Sequence, residues 1–207
     1  IAWQLMTRAN VKVYAWMPVM GFDLGPNADY VKDTRMNKPN PEHYLRLNPY
    51  NPANLKIINE IYADLSFHSK FNGLLFHDDA FLTDFEGPIS GKRDDTTLNQ
   101  EAEAKSQYLI QLTKNLEKTV SDYSYRGNAK LMSARNIYAQ VIINPKAKQW
   151  FAQDYQAFLN HYDRTAIMAM PYMEAEQAIT AQTAKQWLRD LLVKANVAQN
   201  NDKLVFE

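Results

Sequence analysis

Residues 73–86 read GLLFHDDAFLTDFE, and the fold turns on how this stretch is taken. Asn72-Gly73 breaks the amphipathic run before it, and residues 74–77 are short, apolar and bounded as a buried strand is. That strand runs straight into His77, Asp78 and Asp79, with Asp84 and Glu86 one or two turns further on. Burying an unpaired carboxylate costs several kcal/mol or drives its pKa upward. Such a cluster therefore marks a solvated strand end, a helix cap, or a site that uses it.

Outward from it the same pattern recurs. Residues 11–16 (VKVYAW) alternate as a strand does, after a helix end at Asn10. Residues 17–52 are rich in Pro, Asn, Asp and Gly, and so long a loop in a compact domain is usually functional or mobile. Asn51-Pro52 reads as a capped helix start, with Leu55, Ile58, Ile61, Tyr62 and Leu65 as the inward stripe. After a polar loop at 87–97, Leu109, Leu112, Leu116 and Val120 mark a long helix. Strands follow at 130–134, 165–170 and 203–206. One helix through Trp150, Tyr155, Phe158 and Leu159, and another through Trp187, Leu188, Leu191 and Leu192, separate them.

Five strands with a helix in each interval are the signature of parallel βαβ units. An open doubly wound sheet normally brings a glycine-rich phosphate turn, and both GxGxxG and GxxxxGK[ST] are absent, so nucleotide binding is not expected. The expected fold is α/β, a (β/α)8 TIM-type barrel. Residues 1–207 are read as one domain, the central portion of that barrel, with its first and last units outside the chain.

Composition narrows the function. Lys plus Arg and Asp plus Glu are both 23, and no basic stripe is visible, which argues against nucleic acid. The longest apolar runs are too short to cross a bilayer. No signal peptide is visible, but the chain opens without Met, so an upstream part is expected. Cysteine is absent, which excludes disulfides and thiolate sites, and no second cluster has metal-ligand spacing; no cofactor or metal is expected.

Barrel enzymes keep their chemistry at strand C-terminal ends. Those positions hold Trp16 and, a little beyond, Asp23; then His77, Asp78 and Asp79; then Arg135, Asn136 and Tyr138; then Tyr172 and Glu174; and finally Glu207. Carboxylates flanked by aromatic platforms suit glycoside cleavage, in which one acid protonates the leaving oxygen. Aromatic faces stack on sugar rings while Asn, Arg and Asp meet the hydroxyl edges. Neighbours on a strand face opposite ways, so Asp78 and Asp79 cannot both enter the mouth while strand geometry lasts. Trp150, Phe151, Tyr155 and Trp187 read as packing, Met168 and Met170 as barrel filling, and Tyr44 and Tyr50 as loop residues that could line the cleft.

VYAWMPVMGFDL, HYLRLNPYNP, FNGLLFHDDAFLTDFE, SARNIYAQ, WFAQDY and TAIMAMPYMEA resemble the C-terminal glycoside hydrolase domain of the PgaB family of poly-β-1,6-N-acetyl-D-glucosamine N-deacetylases. The likeness runs over nearly the whole chain. It implies a barrel that binds partially deacetylated poly-N-acetylglucosamine and cleaves it internally. It also implies a periplasmic, outer-membrane-associated protein with a separate N-terminal deacetylase domain and an export porin as neighbours. No His-xxx-His pairing is present here, so deacetylation is not expected of this chain. The segment after Phe85 looks short against the family.

The resemblance places the catalytic acid in the Asp78–Asp79 pair, Asp78 favoured, with a raised pKa from the half-buried rim and the like charge beside it. Glu174, another carboxylate or the substrate's own acetamido oxygen would serve the second step. Trp16, Asp23, His77, Arg135, Asn136, Tyr138, Tyr172 and Glu207 are the expected substrate contacts. The alternative from another class is a non-catalytic polysaccharide-binding domain that guides the polymer during deacetylation and export.

Overall fold

The computed structural model describes residues 6, 8–123, 130–174, 179–196 and 201–207. Five parallel strands pair strictly in sequence order: β1 (Tyr14–Met17), β2 (Gly73–Phe76), β3 (Met132–Tyr138), β4 (Arg164–Met168) and β5 (Leu204–Phe206). A doubly wound sheet reverses its order at a switch point, whereas sequential order with right-handed crossovers keeps the helices on one face. That is the layout of a (β/α) barrel wall.

Each strand starts where a local bond lets it. Residues 11–13 do not join the ladder as expected. Val11 N–H instead closes a turn on the Met6 carbonyl, with Asn10 in the left-handed region at φ 55°, and Val13 N–H is taken by the Asn72 side chain at 2.8 Å. Gly73 opens β2 because nothing larger fits. A Cβ there would lie 2.4 Å from the Tyr14 ring and 2.6 Å from the Met132 carbonyl.

Helix α1 (Pro52–His68) has the expected start, with Asn51 accepting from Ala53 N–H at 2.9 Å and Pro52 in the first turn. Its most buried line is Asn54, Ile58, Tyr62 and Ser66, with two polar members. They are tolerated because Asn54 donates to the Asp29 and Asn48 carbonyls and Ser66 to that of Val120. Helix α2 (Asp95–Tyr123) carries Leu109, Leu112, Leu116 and Val120 inward.

The largest departure lies between β3 and β4. Strand β3 runs to Tyr138, four residues past the expected end, so Arg135, Asn136 and Tyr138 are in the strand and not beyond it. The single expected helix is three: α3 (Ala139–Ile143), α4 (Ala147–Phe151) and α5 (Tyr155–His161). Pro145 follows Asn144 and separates the first two. Ala152 at φ 46° ends the second, and Asp154 caps the third through Ala157 N–H. Short α6 (Pro171–Glu174), α7 (Ala181–Asn196) and a 3₁₀ turn (Asn201–Lys203) complete the chain. No helix among the described residues is long and apolar enough to cross a membrane.

The core lies between sheet and helices, where Leu74, Phe76, Ile137 and Ile167 meet Ile58, Tyr62, Leu109, Leu116 and Phe158. On the opposite face alternation places Leu75, Ala134 and Ala166 with Asn136, Tyr138 and Met168, and the cleft forms over the last three.

Candidate active site

Phe76 ends β2 facing the helices against Tyr62 and Tyr162, and His77 N–H still bonds the Met17 carbonyl at 3.0 Å. The chain then turns, and the two acids part. Asp79 is 1% exposed and lies beneath the β1–α1 loop, accepting from Val19 N–H at 3.0 Å, Met20 N–H at 2.6 Å and Gly21 N–H. Gly21 permits this approach, since a Cβ there would stand 3.1 Å from Asp79 Oδ2. Asp79 does not line the cleft.

Asp78 does. Its Oδ2 accepts from Tyr138 Oη at 3.0 Å and Tyr44 Oη at 3.3 Å, and its Oδ1 lies 2.7 Å from His77 Nδ1. Asp79 N–H also approaches Nδ1, at 3.3 Å, but one nitrogen cannot donate and accept at once. The shorter contact to an anion decides it, so Nδ1 carries the proton. Burial pushes the Asp78 carboxyl up, yet the His77 hydrogen bond and charge and the two tyrosine hydroxyls outweigh it, and its pKa lies below the ordinary value. The same hydrogen bonds, to Asp78 first and Asp79 second, raise His77 to about 9. The expectation of an aspartic acid with a raised pKa is thereby corrected. At neutral pH Asp78 is an anion beside an imidazolium.

The raised carboxyls stand across the cleft, whose volume is about 660 Å³. Burial, with a smaller push from the Asp78 charge, lifts Glu174 to about 7 against the Gln140 and Ala139 N–H groups that favour its anion. Its Oε2 accepts from Gln140 N–H at 3.2 Å, while buried Oε1 has no partner. Glu207 is also raised, by burial first and Asp78 next, and takes a hydrogen bond from Asn136 Nδ2 at 2.8 Å. Its backbone extends the β4–β5 ladder through Ile167 and Ala169, which fixes its address. Trp16 is 60% exposed on the rim, its ring 5.0 Å from that of His77.

The structure thus brings together Trp16, His77, Asp78, Asn136, Tyr138, Glu174 and Glu207. It leaves others outside. Arg135 is fully buried on the far face of β3, donating to the Ala80 carbonyl and Tyr162 Oη, both at 2.7 Å, over the Phe158 ring. Alternation along the strand explains this: Asn136 and Tyr138 share the cleft face and Arg135 takes the other. Asp23 is spent on a turn, accepting from Gly25 N–H and Tyr30 Oη. Tyr172 is exposed but not in the cleft wall, and Tyr50 stacks on Tyr108 instead.

Some lining residues went unread. Met168 and Met170 line the cleft instead of filling the barrel, together with Met173, Glu42 and His43. Phe151, taken as packing, stacks on Tyr138 at 4.3 Å and backs the wall. Tyr44 and His43 arrive on the long loop, pinned by the Arg46–Glu86 pair at 2.6 Å, both side chains buried. Tyr44 was expected as a possible lining residue of this loop and is one, whereas Glu42 and His43 were not. Among the described residues no cluster of three or more His, Cys, Asp or Glu could hold a metal.

The structure is thus an α/β domain with an open carboxyl-lined cleft at the C-terminal ends of its parallel strands, and its class follows from the family it matches. The family model described as hypothetical glycosyl hydrolase family 13 matches residues 1–207, and the chain belongs to that family. It is 38% identical over 229 residues to the poly-beta-1,6-N-acetyl-D-glucosamine N-deacetylases of Escherichia coli strains K12 and O157:H7, covering all of this chain and 33% of theirs. It is also similar to the solved PgaB (BpsB) glycoside hydrolase domain from Bordetella bronchiseptica. That match has a TM-score of 0.83 and 34% identity, over 99% of this chain and 63% of that one. A sporulation-specific glycosylase, YdhD of Bacillus subtilis, shares the fold alone, at a TM-score of 0.56 and 10% identity over 99% of this chain and 54% of that one.

Proposed function

We propose that this domain is an endo-acting glycosidase on partially de-N-acetylated poly-β-1,6-N-acetyl-D-glucosamine, built on five consecutive strands of a (β/α)8 barrel. The carrying observation is that two carboxyls lining one cleft have pKa values driven in opposite directions: Asp78 is clamped as an anion by His77, Tyr44 and Tyr138, while burial lifts Glu174 to about 7 and lets it keep its proton below that pH. Pairs whose environments drive their pKa values apart divide the acid and anion roles between them.

In this reading protonated Glu174 delivers its proton to the glycosidic oxygen as that bond lengthens. Positive charge grows at the anomeric carbon, and the Asp78 anion, fixed by His77, Tyr44 and Tyr138, stabilises it without reorganising; a water then bonds to that carbon and gives up a proton that restores protonated Glu174, so the bond is cut with one water consumed. Exposed Trp16 offers a ring platform at the rim. The substrate class rests on the likeness to the deacetylase family, and the carboxyl-rich lining suits the ammonium of deacetylated units. The periplasmic, outer-membrane-associated setting, with a deacetylase domain and an export porin as neighbours, belongs to the same proposal.

The test is to incubate the protein with partially deacetylated β-1,6-glucosamine polymer and follow chain length by mass spectrometry, beside Asp78→Asn. The native protein is expected to shorten the chains, and the variant to do so at least ~100-fold more slowly while still retaining polymer. Clear retention with no shortening by the native protein would leave a polymer-docking domain instead.

A further inference from the structure

His77 lines the cleft between two exposed rings, that of Trp16 at 5.0 Å and that of Tyr44, edge-on, at 5.6 Å. Its Nδ1 is committed to the protein, 2.7 Å from Asp78 Oδ1 and 3.5 Å from Asp79 Oδ1. An imidazole that turns one nitrogen to two carboxylates holds a proton on each nitrogen, and this one stays charged up to about pH 9. Its Nε2–H, on the far side of the ring, has no partner among the described residues. Nor is it shut away, since the side chain is 25% exposed on the cleft and Nε2 is not one of the buried polar atoms. A charged donor is therefore presented to whatever lies against Trp16.

The neighbouring carboxylates do not cancel this for a ligand. Asp78 already accepts from Nδ1 on Oδ1 and from Tyr138 and Tyr44 on Oδ2. Asp79 is turned to the backbone amides of the β1–α1 loop. An ammonium brought to Nε2 would meet a like charge and find those oxygens engaged. A carbonyl oxygen there would accept a charge-assisted hydrogen bond.

Units of a partially deacetylated glucosamine polymer differ only at the nitrogen on C2, which is a neutral acetamide or an ammonium. C2 adjoins the anomeric carbon, and in the reading above Asp78 stands at that carbon. Its neighbour His77 is thus placed to meet the C2 substituent of the same unit. We infer that His77 is a specificity-determining residue, its Nε2–H donating to the acetamido oxygen of the unit held at Asp78 and rejecting a deacetylated unit there. The ligand class and the register rest on the hydrolase reading. The cleft then makes mixed demands, a neutral unit at His77 and ammonium-bearing units along its other carboxyls, and only a partially deacetylated chain meets both.

The probes are the methyl β-glycosides of N-acetylglucosamine and of glucosamine, titrated into ¹⁵N-labelled protein at about pH 6, where imidazole and amine are both charged. The His77 Nε2 resonance reports contact, and the Trp16 indole N–H reports affinity. The acetylated glycoside is expected to shift Nε2 saturably and to bind at least about tenfold tighter than the amine. His77→Asn keeps an amide N–H near the place of Nδ1 for Asp78 but lacks Nε2 and the charge. His77→Gln keeps a neutral donor near the place of Nε2. Both are expected to cut the preference at least about threefold, the Gln variant chiefly by binding the amine better. A purely structural histidine would leave the ratio of the two affinities unchanged, whatever its loss did to stability. No saturable Nε2 shift with the acetylated glycoside, equal or tighter binding of the amine, or a preference that survives both substitutions would overturn the inference. Each probe is a single sugar with no internal linkage to cut. Failure of chain shortening would therefore remove the hydrolase reading without touching this selectivity, and loss of the selectivity would leave the cleavage assay as it stands.

Discussion

Asp78 and Asp79 are neighbours in sequence, but backbone amides hold one and side chains hold the other. Asp79 spends its charge on three successive N–H groups of the β1–α1 loop. Asp79→Asn should therefore lower stability by about 2 kcal/mol, read from urea unfolding, because charge-assisted bonds to buried amides are lost. The His77 pKa should fall from about 9 as well, read by NMR titration, because Asp79 is the second group that raises it. Tyr138→Phe is a different case. It removes the 3.0 Å donor from Asp78 and leaves the ring stack on Phe151, so the rate should fall roughly 10-fold or more with little loss of stability. Circular dichroism melting beside the kinetic assay separates the two effects. Sequence alternation already said that the acids must diverge. It could not say which one was capped, because the amides of residues 19–21 lie about sixty positions away. The direction of the Asp78 shift was hidden for the same reason: Tyr44 and Tyr138 reach it from two other elements.

At the scale of elements, the strands and capped helices were legible and the loops were not. Asn51-Pro52 announced α1, and Asn72-Gly73 announced β2, through local chemistry that needs no partner. The length of β3 was not announced, since Arg135 and Asn136 look unlike strand interior until Ala80, Tyr162 and Glu207 satisfy them. The breaks after α3 and α4 could have been read from Asn144-Pro145 and the Asp154 cap. The long loop is held by Arg46 and Glu86. Burial pushes Glu86 up, but the His43 hydrogen bond, the Arg46 charge and Thr83 N–H bring it down to about 2. A depressed carboxyl stabilises fully above its ordinary value of 4.5, and that stability drains away as pH falls toward 2. Glu86→Gln should cost about 3 kcal/mol at pH 7, because it leaves a buried guanidinium unpaired. Unfolding free energy measured against pH should show the variant losing less than the native protein between pH 4.5 and 2.

Taken whole, the molecule divides its labour by sheet face. One face is buried under the helices and is mostly apolar, with Arg135 as its charged exception; over the rim of the other gather an indole, two imidazoles, an amide and four carboxyls from segments far apart in sequence. That convergence could be read in outline because strand ends in parallel α/β domains share one rim. Which carboxyl would keep its proton could not, since it depends on burial and on mutual repulsion among groups that meet only in the fold. The assignment of Glu174 as the proton donor is therefore the central claim, and the rate of polymer cleavage against pH tests it most directly. With Glu174 lifted to about 7 and Asp78 ionised down to below 3.8, the native rate should be level from about pH 5 to 6.5 and fall about tenfold per unit above 7. Glu174→Gln should lose at least ~100-fold in rate and the alkaline fall with it. A native profile flat through pH 8, or a Glu174→Gln variant cutting the polymer at the native rate, would contradict the claim.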